Sequence, residues 1–576
     1  MLSKPRFLII VAAIALVPSS GMSQTVWSMP GAWPNLHTAV DSASSGDIIE
    51  LADGLYDGVA WRGLSVDKTL TFRSASMDSS QCVFDCGGTY WASFEDGMPY
   101  GGSRIEGIGF RNAGGGSGDP WEGAISARGP DTITIAGCDF ENNTPSSVTG
   151  YAYVENCVFR NHPLGGVAAR PLQVLDSLFE YNAGYCITAA PAPPLSAGIF
   201  LDGCRFRNNS SNVMFFQSPN AVSRTIRNCD FEENTGGPAV FCPFPLVVIN
   251  STFVRNSSDT QGGGAISISS GAGNNSIIGC TFTQNTAGAS GGALSVTGTG
   301  LTELIGCVFQ GNIVTSTSGS AFLRGGGGAY VEGSVNVEDC TFEGNTTSGA
   351  VPTYGGGLFL QGAGDVTIGM DSRFVSNQAD KEGGGIAMVR TDLSAATISL
   401  TNVLIADNAA VEEGGGLAFL GLGSMAATPT LNVTRTTIAN NSLVPGSGER
   451  GSAVSINGAY LNLEQSIIAY NRGGPAFYCA STATASCTDI FGHDPPGSNW
   501  TGCLDGFESF FDNLEAQPKF CCIEDGNYEL ASDSPCLAAN NLCGGVGLLM
   551  GWGEEGSCIT SAVQQESWAA IKAMYR

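Results

Sequence analysis

Apolar residues recur at every second position in short runs such as ISIS (Ile266–Ser269) and VTIG (Val366–Gly369). Period two places successive side chains on opposite faces, which predicts strands rather than helices. No stretch between them carries a helical stripe. A phenylalanine slot recurs at Phe110, Phe140, Phe159, Phe179, Phe206, Phe231, Phe253, Phe282, Phe309, Phe342 and Phe374, then continues as Ile405, Ile438 and Ile468. The intervals run from 19 to 33 residues. Three positions on lies an asparagine slot: Asn143, Asn182, Asn209, Asn234, Asn256, Asn285, Asn312, Asn345, Asn377, Asn408, Asn441 and Asn471, with His162 once.

A glycine motif follows in many units, as GGGAI (Gly262–Ile266), GGAL (Gly291–Leu294) and GGGL (Gly355–Leu358 and Gly414–Leu417). Short strands joined by Gly/Asn turns cannot bury an inner face alone, but stacked unit on unit they can. The expected fold is all-β, a single parallel β-solenoid.

The paired signatures GGA[I/L/V] and FxxN resemble the repeats of chlamydial polymorphic membrane proteins. More broadly they resemble secreted right-handed parallel β-helix proteins of the pectin-lyase-like superfamily. The resemblance covers roughly residues 30–475 and implies a right-handed β-helix. It makes Trp33–Ala43 a short cap helix, Gly46–Gly58 a first coil and Asp67–Ala75 a second. It makes Tyr528–Cys536 a closing coil. One departure is plain: no C-terminal run of alternating strands is long enough for a transmembrane barrel.

In Cys-x-Phe both side chains share one strand face, so cysteine points inward with phenylalanine. The slot holds Cys138, Cys157, Cys204, Cys229, Cys280, Cys307 and Cys340, and elsewhere Ser177, Ser251, Ser372 and Ser466. Shared small size predicts a stack of buried free thiols rather than a metal or redox ladder. Parallel stacked side chains suit a disulfide poorly, and no CxxC or histidine partner supports metal. The asparagines predict a structural ladder at strand ends. The position after phenylalanine reads Glu141, Arg160, Glu180, Arg207 and Glu232, an outward column of alternating sign that predicts surface ion pairs.

The chain has 576 residues, 80 of them glycine, with a net charge of −27. Only 25 lysines and arginines are present, which argues against a nucleic-acid partner. An acidic surface also repels acidic polymers unless calcium bridges the two. Lys4, Arg6 and the apolar run Phe7–Val17 predict a signal peptide over residues 1–23 and hence export to the surface or medium. No later segment is long and apolar enough for a membrane helix.

The expected organisation is a β-helix with its N-terminal cap over 24–475, a cysteine-rich cap over 476–558 and a tail over 559–576. Export permits disulfides. The candidates are Cys479, Cys487, Cys503, Cys521, Cys522, Cys536, Cys543 and Cys558 at the C-terminal end, with Cys82 and Cys86 as a staple at the other. With 19 cysteines, at least one stays unpaired within the chain. In the tail, Trp568, Ile571 and Tyr575 would share a helical face, and the segment is either a frayed end or a short sorting or docking signal.

A glycosidase needs carboxylates gathered on neighbouring coils. The best group in the sequence is Asp202, Asp230, Glu232 and Glu233 with Arg205, Arg207 and Arg227. No cofactor is expected, and calcium would enter only with a lyase-like carboxylate cluster. Gly492-His493-Asp494 faintly resembles a Gly-His-Gly signature but lies past the repeat. Two function classes follow. The first is a non-enzymatic exported β-helix acting as an adhesin, glycan binder or structural component, with polysaccharide or cell-surface partners. The second is a polysaccharide lyase or hydrolase.

Overall fold

A computed structural model gives the fold of residues 24–553 and 556. Positions 32, 115–122, 170–172, 190–197, 217–222, 260, 316–323, 350, 363, 391–395, 423–427, 445–449, 498 and 544–548 are left aside. Residues 1–23, expected from sequence to be a signal peptide, Cys558 and the tail 559–576 lie outside the described residues.

Each unit is one turn of a right-handed parallel β-helix, and equivalent strands stack in three long ladders. The first ladder holds 18 described strands, from Val26–Met29 to Ala483–Ser486. The second runs from Gly54–Asp57 to Asp489–Phe491 and carries the phenylalanine slot. The third holds 16 described strands, from Leu64–Val66 to Phe477–Cys479. A fourth ladder of two-residue strands, Ser257–Ser258 to Ser442–Leu443, fills the corner between the second and third.

Register keeps like over like, as in Phe231↔Phe253 and Phe253↔Phe282. The inward phenylalanines form one stack from Phe84 to Phe374, with neighbouring ring centroids 4.5–5.9 Å apart. The cap helix spans Leu36–Ser42, with Asn35 as N-cap.

The asparagine slot is a continuous ladder. Each amide oxygen accepts from the backbone N–H of the previous rung, and each amide nitrogen donates to the phenylalanine-slot carbonyl one coil back. Asn285 N and Nδ2 both donate to Asn312 Oδ1, at 2.9 and 3.0 Å, and Asn312 Nδ2 reaches the Phe282 carbonyl at 3.0 Å. Every such group is buried, so the ladder satisfies backbone that water cannot reach. His493 is its last rung, accepting from Asn471 N at 3.1 Å, and burial pushes its imidazole down to about 4. His493 therefore belongs to the coil pattern, which the structure carries through Asp489–Phe491. Ile490 and His493 fill its slots as Ile468 and His162 do elsewhere, but the cysteine-rich composition from Cys479 onward masks the repeat in the sequence.

The cysteine slot holds free, buried thiols at all seven positions. Small size is only part of the reason. The slot side chain accepts the N–H of the previous coil: Cys307 N to Cys340 Sγ at 3.3 Å, Cys340 N to Ser372 Oγ at 3.2 Å. It donates to the carbonyl two residues back, as Cys340 Sγ does to Glu338 at 3.3 Å. Cysteine and serine exchange because both can accept and donate.

The ends differ from expectation. Cys82 and Cys86 are free and buried, so no staple forms there. Cys522 and Cys536 are also free. Disulfides join Cys479 to Cys503 and Cys487 to Cys543, and Cys521 is disulfide-bonded as well. Trp500 and Leu504 join the main core and plug the end of the helix.

Tyr528–Cys536 is not a closing coil. Its strand Asn527–Leu530 pairs antiparallel with Phe520–Cys522 and lies back against the outer face of the second ladder. The physical reason is the apolar patch there: Leu404, Ala406 and Ala439 point outward yet are buried beside Tyr528. The returning segment reaches Trp552, whose backbone N–H donates to Thr437 Oγ1 at 2.9 Å.

Candidate functional site

The acids and arginines singled out in the sequence divide between two ladders. Asp202 and Arg227 face each other at the edge of the first ladder, while Arg205, Arg207, Asp230 and Glu232 stack on the second. Each acid is closed by an arginine. Arg227 grips Asp202, which also accepts from Asn228 at 2.7 Å, and these bonds hold its carboxyl below the usual range. Asp230 lies 3.7 Å from Arg205 and accepts from Thr252 at 2.6 Å. Glu232 and Glu233 share Arg255, at 2.6 and 2.9 Å.

The alternating column keeps the expected register, Glu141↔Arg160↔Glu180↔Arg207↔Glu232. Its contacts are more local. Arg207 bonds Glu180 at 2.7 Å, whereas Arg160 turns to Asp139 instead of a column neighbour. Burial raises the Asp139 carboxyl although Arg160 holds it. Among the described residues, no three His, Cys, Asp or Glu side chains converge as a metal site would need.

A different place gathers polar groups around a hollow. Where the returning segment crosses the second ladder it leaves a groove of about 560 Å³. One wall is the turn that follows the second ladder. Ser376, Asp407 and Asn440 occupy the same position in three successive coils, with φ of 58°, 59° and 56°. A left-handed turn there suits Asn and Asp and aims each side chain outward. Their backbones stack, with Ser376 N on Ala406 O at 3.1 Å and Asp407 N on Ala439 O at 3.1 Å. The facing wall is Ile523–Gly526.

The wall is wired together. Tyr528 donates its phenol O–H to Asp407 Oδ2 at 2.9 Å. Asn440 donates its amide to Asp407 Oδ1, and Arg472 donates to Asn440 Oδ1. Burial and the neighbouring Asp407 carboxylate both push the Tyr528 phenol up. Asp407 is thus held as an acceptor, with both oxygens engaged. Glu343, Glu524 and Asp525 complete an acidic rim. Beyond Tyr528 a second hollow of about 240 Å³ lies beside Arg373, Asn527 and Trp552, with Arg373 5.2 Å over the Trp552 ring.

Two buried acids lie elsewhere. Glu382 meets Lys381 Nζ at 2.7 Å, and Lys381 also bonds Tyr354 Oη at 3.0 Å. Burial raises the Glu382 carboxyl, and Glu412 and Glu413 add to the effect. Asp489 is fully buried under the returning segment.

Sequence reading missed Asp407, Asn440 and Arg472. For the first two the signal was the residue before the ladder asparagine, as in Asp407-Asn408 and Asn440-Asn441; Arg472 instead follows its ladder asparagine, Asn471. Nothing local announces Tyr528, which lies 121 residues from Asp407.

A family model for a right handed beta helix region matches residues 100–309. No curated protein matches the chain. Tailspike protein 3 of bacteriophage CBA120 is 11% identical, aligned over 78% of this chain, with a TM-score of 0.30. The chain spans 58% of that tailspike's length. A mannuronic acid specific family 6 polysaccharide lyase from human gut microbiota is 10% identical over 81% of this chain and 91% of its own, also at 0.30. Pectate lyase Pel9A is 11% identical over 93% of this chain and 98% of its own, at 0.18. At these identities and scores the likenesses assign no chemistry to this chain.

Proposed function

We propose that this chain is an exported, non-enzymatic β-helix that binds an extracellular glycan on its lateral surface. The observation that carries this is the groove between the second ladder and the returning segment. It has the size of a small-ligand site, and its wall of serine, aspartate, asparagine and arginine offers the acceptors and donors that sugar hydroxyls need. Catalysis is a weaker fit. A general acid must hold a proton near working pH. Asp202 is held charged by Arg227, and both oxygens of Asp407 are engaged.

A second reading, glycoside hydrolysis, is favoured by Glu343, Glu524 and Asp525 around one hollow. Purified protein screened on a glycan array and for new reducing ends separates the two. Binding without cleavage is expected. Bond cleavage that stops with Glu524→Gln or Asp525→Asn would establish the hydrolase instead.

A further inference from the structure

The groove wall repeats along the helix axis, and so does an unbranched polysaccharide. Ser376, Asp407 and Asn440 stand one per coil, in the same left-handed turn, with their backbones hydrogen-bonded in register. Coils stack at roughly 4.8 Å, close to the length of one extended pyranose unit. Four coil steps, from the level of Glu343 to that of Arg472, measure about 19 Å on that spacing.

The polar pattern along this wall is mixed: hydroxyl, carboxylate and amide at the turn position, then the Arg472 guanidinium, which reaches back to Asn440 from two residues past the turn position of the next coil. Sugar hydroxyls both donate and accept, so such a wall can serve each unit in turn. Tyr528 and Arg472 fix the orientations of Asp407 and Asn440 before any ligand arrives, which lowers the ordering cost of binding.

Charge selects among glycans. Four carboxylates, Glu343, Asp407, Glu524 and Asp525, face one guanidinium, and that guanidinium is turned onto Asn440. The whole chain adds a net charge of −27. A uronate or sulfated polymer is repelled by this field.

Resting on the glycan-binding reading above, we propose that the groove takes a neutral, unbranched hexose glycan laid along the helix axis, one sugar per coil over about four coils. The ligand is uncharged, and recognition is by register and hydrogen bonding.

Titration calorimetry with the full chain tests this, using cello- and manno-oligosaccharides of two to six units, oligogalacturonates, glucosamine oligomers and oligolysine. At least one neutral series is expected to tighten severalfold per unit up to about four units and then level off. Oligogalacturonates are expected not to bind. Asn440→Gly and Ser376→Gly keep the positive φ, and each is expected to weaken binding about tenfold with thermal unfolding unchanged. Tighter binding of glucosamine oligomers or oligolysine would replace register by simple charge attraction and overturn the proposal. So would affinity that ignores chain length. Neutral glycans bound undiminished by both variants would leave the glycan-binding reading standing and sink this groove. No binding of any glycan would sink both.

Discussion

Tyr528 donates its phenol to Asp407 at 2.9 Å, across 121 residues of chain. The bond ties the returning C-terminal segment to the flank of the helix three coils before its end. Asp407 is a charged acceptor, and bonds to charged groups are worth about 1.5–3 kcal/mol. Tyr528→Phe keeps the ring against Leu404 and Ala439 but removes the bond. Hydrogen exchange over 520–530 is expected to speed up by at least about tenfold, with the coils before Phe342 unaffected. Unchanged protection would mean the segment is held by its apolar contacts alone.

The asparagine ladder predicts a loss of stability. Asn312→Ala deletes the acceptor of Asn285 N and the donor to the Phe282 carbonyl, both buried. Asn285 N is left buried without a partner, and the Phe282 carbonyl keeps only its strand-ladder donor, at a cost of about 1–3 kcal/mol. Thermal melting should fall accordingly, and the exchange map should show the loss centred on the neighbouring coils. In a solenoid each coil contacts only its neighbours, so damage stays local.

Much of this fold was legible in the sequence. The phenylalanine, cysteine and asparagine slots predict three properties of every coil: a strand, an inward face and a turn. What stayed hidden depends on contacts between distant segments. Leu404, Ala406 and Ala439 mark an apolar outer face, yet the alternation rule assigns them only to the outward side. Their partner, Tyr528, comes from a stretch read as a closing coil. The groove is hidden for the same reason, since Asp407 belongs to the repeat and Asp525 does not. His493 was misplaced because the cysteine-rich composition from Cys479 onward masks the repeat, although its imidazole serves the ladder as an acceptor.

The cysteine slot makes a discriminating test of hydrogen bonding against size. Cys340 Sγ accepts from Cys307 N and donates to Glu338 O. Cys340→Ser preserves both roles and is expected to change stability by less than about 1 kcal/mol, given that Ser372 already serves the next coil. Cys340→Ala fits the space but leaves the Cys307 N–H buried and unpaired, at about 1–3 kcal/mol. Equal stability of the two variants in denaturant melts would show that size alone governs the slot.

Asp489 makes the returning segment sensitive to pH. Its side chain is fully buried, and its partners are on that segment: Ala516 N at 2.9 Å and the Cys536 thiol at 3.3 Å. Tyr470 and Glu515 are the other titratable groups near it. Burial pushes the carboxyl up to about 6, against 3.8 when free. The sign follows from which state holds the proton. Below about pH 4 both folded and unfolded chains keep Asp489 neutral, and its contribution is fully present. As pH rises toward 6 the unfolded chain releases the proton and the folded one does not. Stability therefore declines through this window and levels off above it, by at most about 3 kcal/mol. Asp489→Asn keeps the acceptor for Ala516 and cannot ionise. The variant is expected to match the parent near pH 4 and to exceed it at pH 8, read as slower proteolysis and slower exchange over 511–543. A parent and variant that lose protection in parallel from pH 4 to 8 would place the titrating group elsewhere.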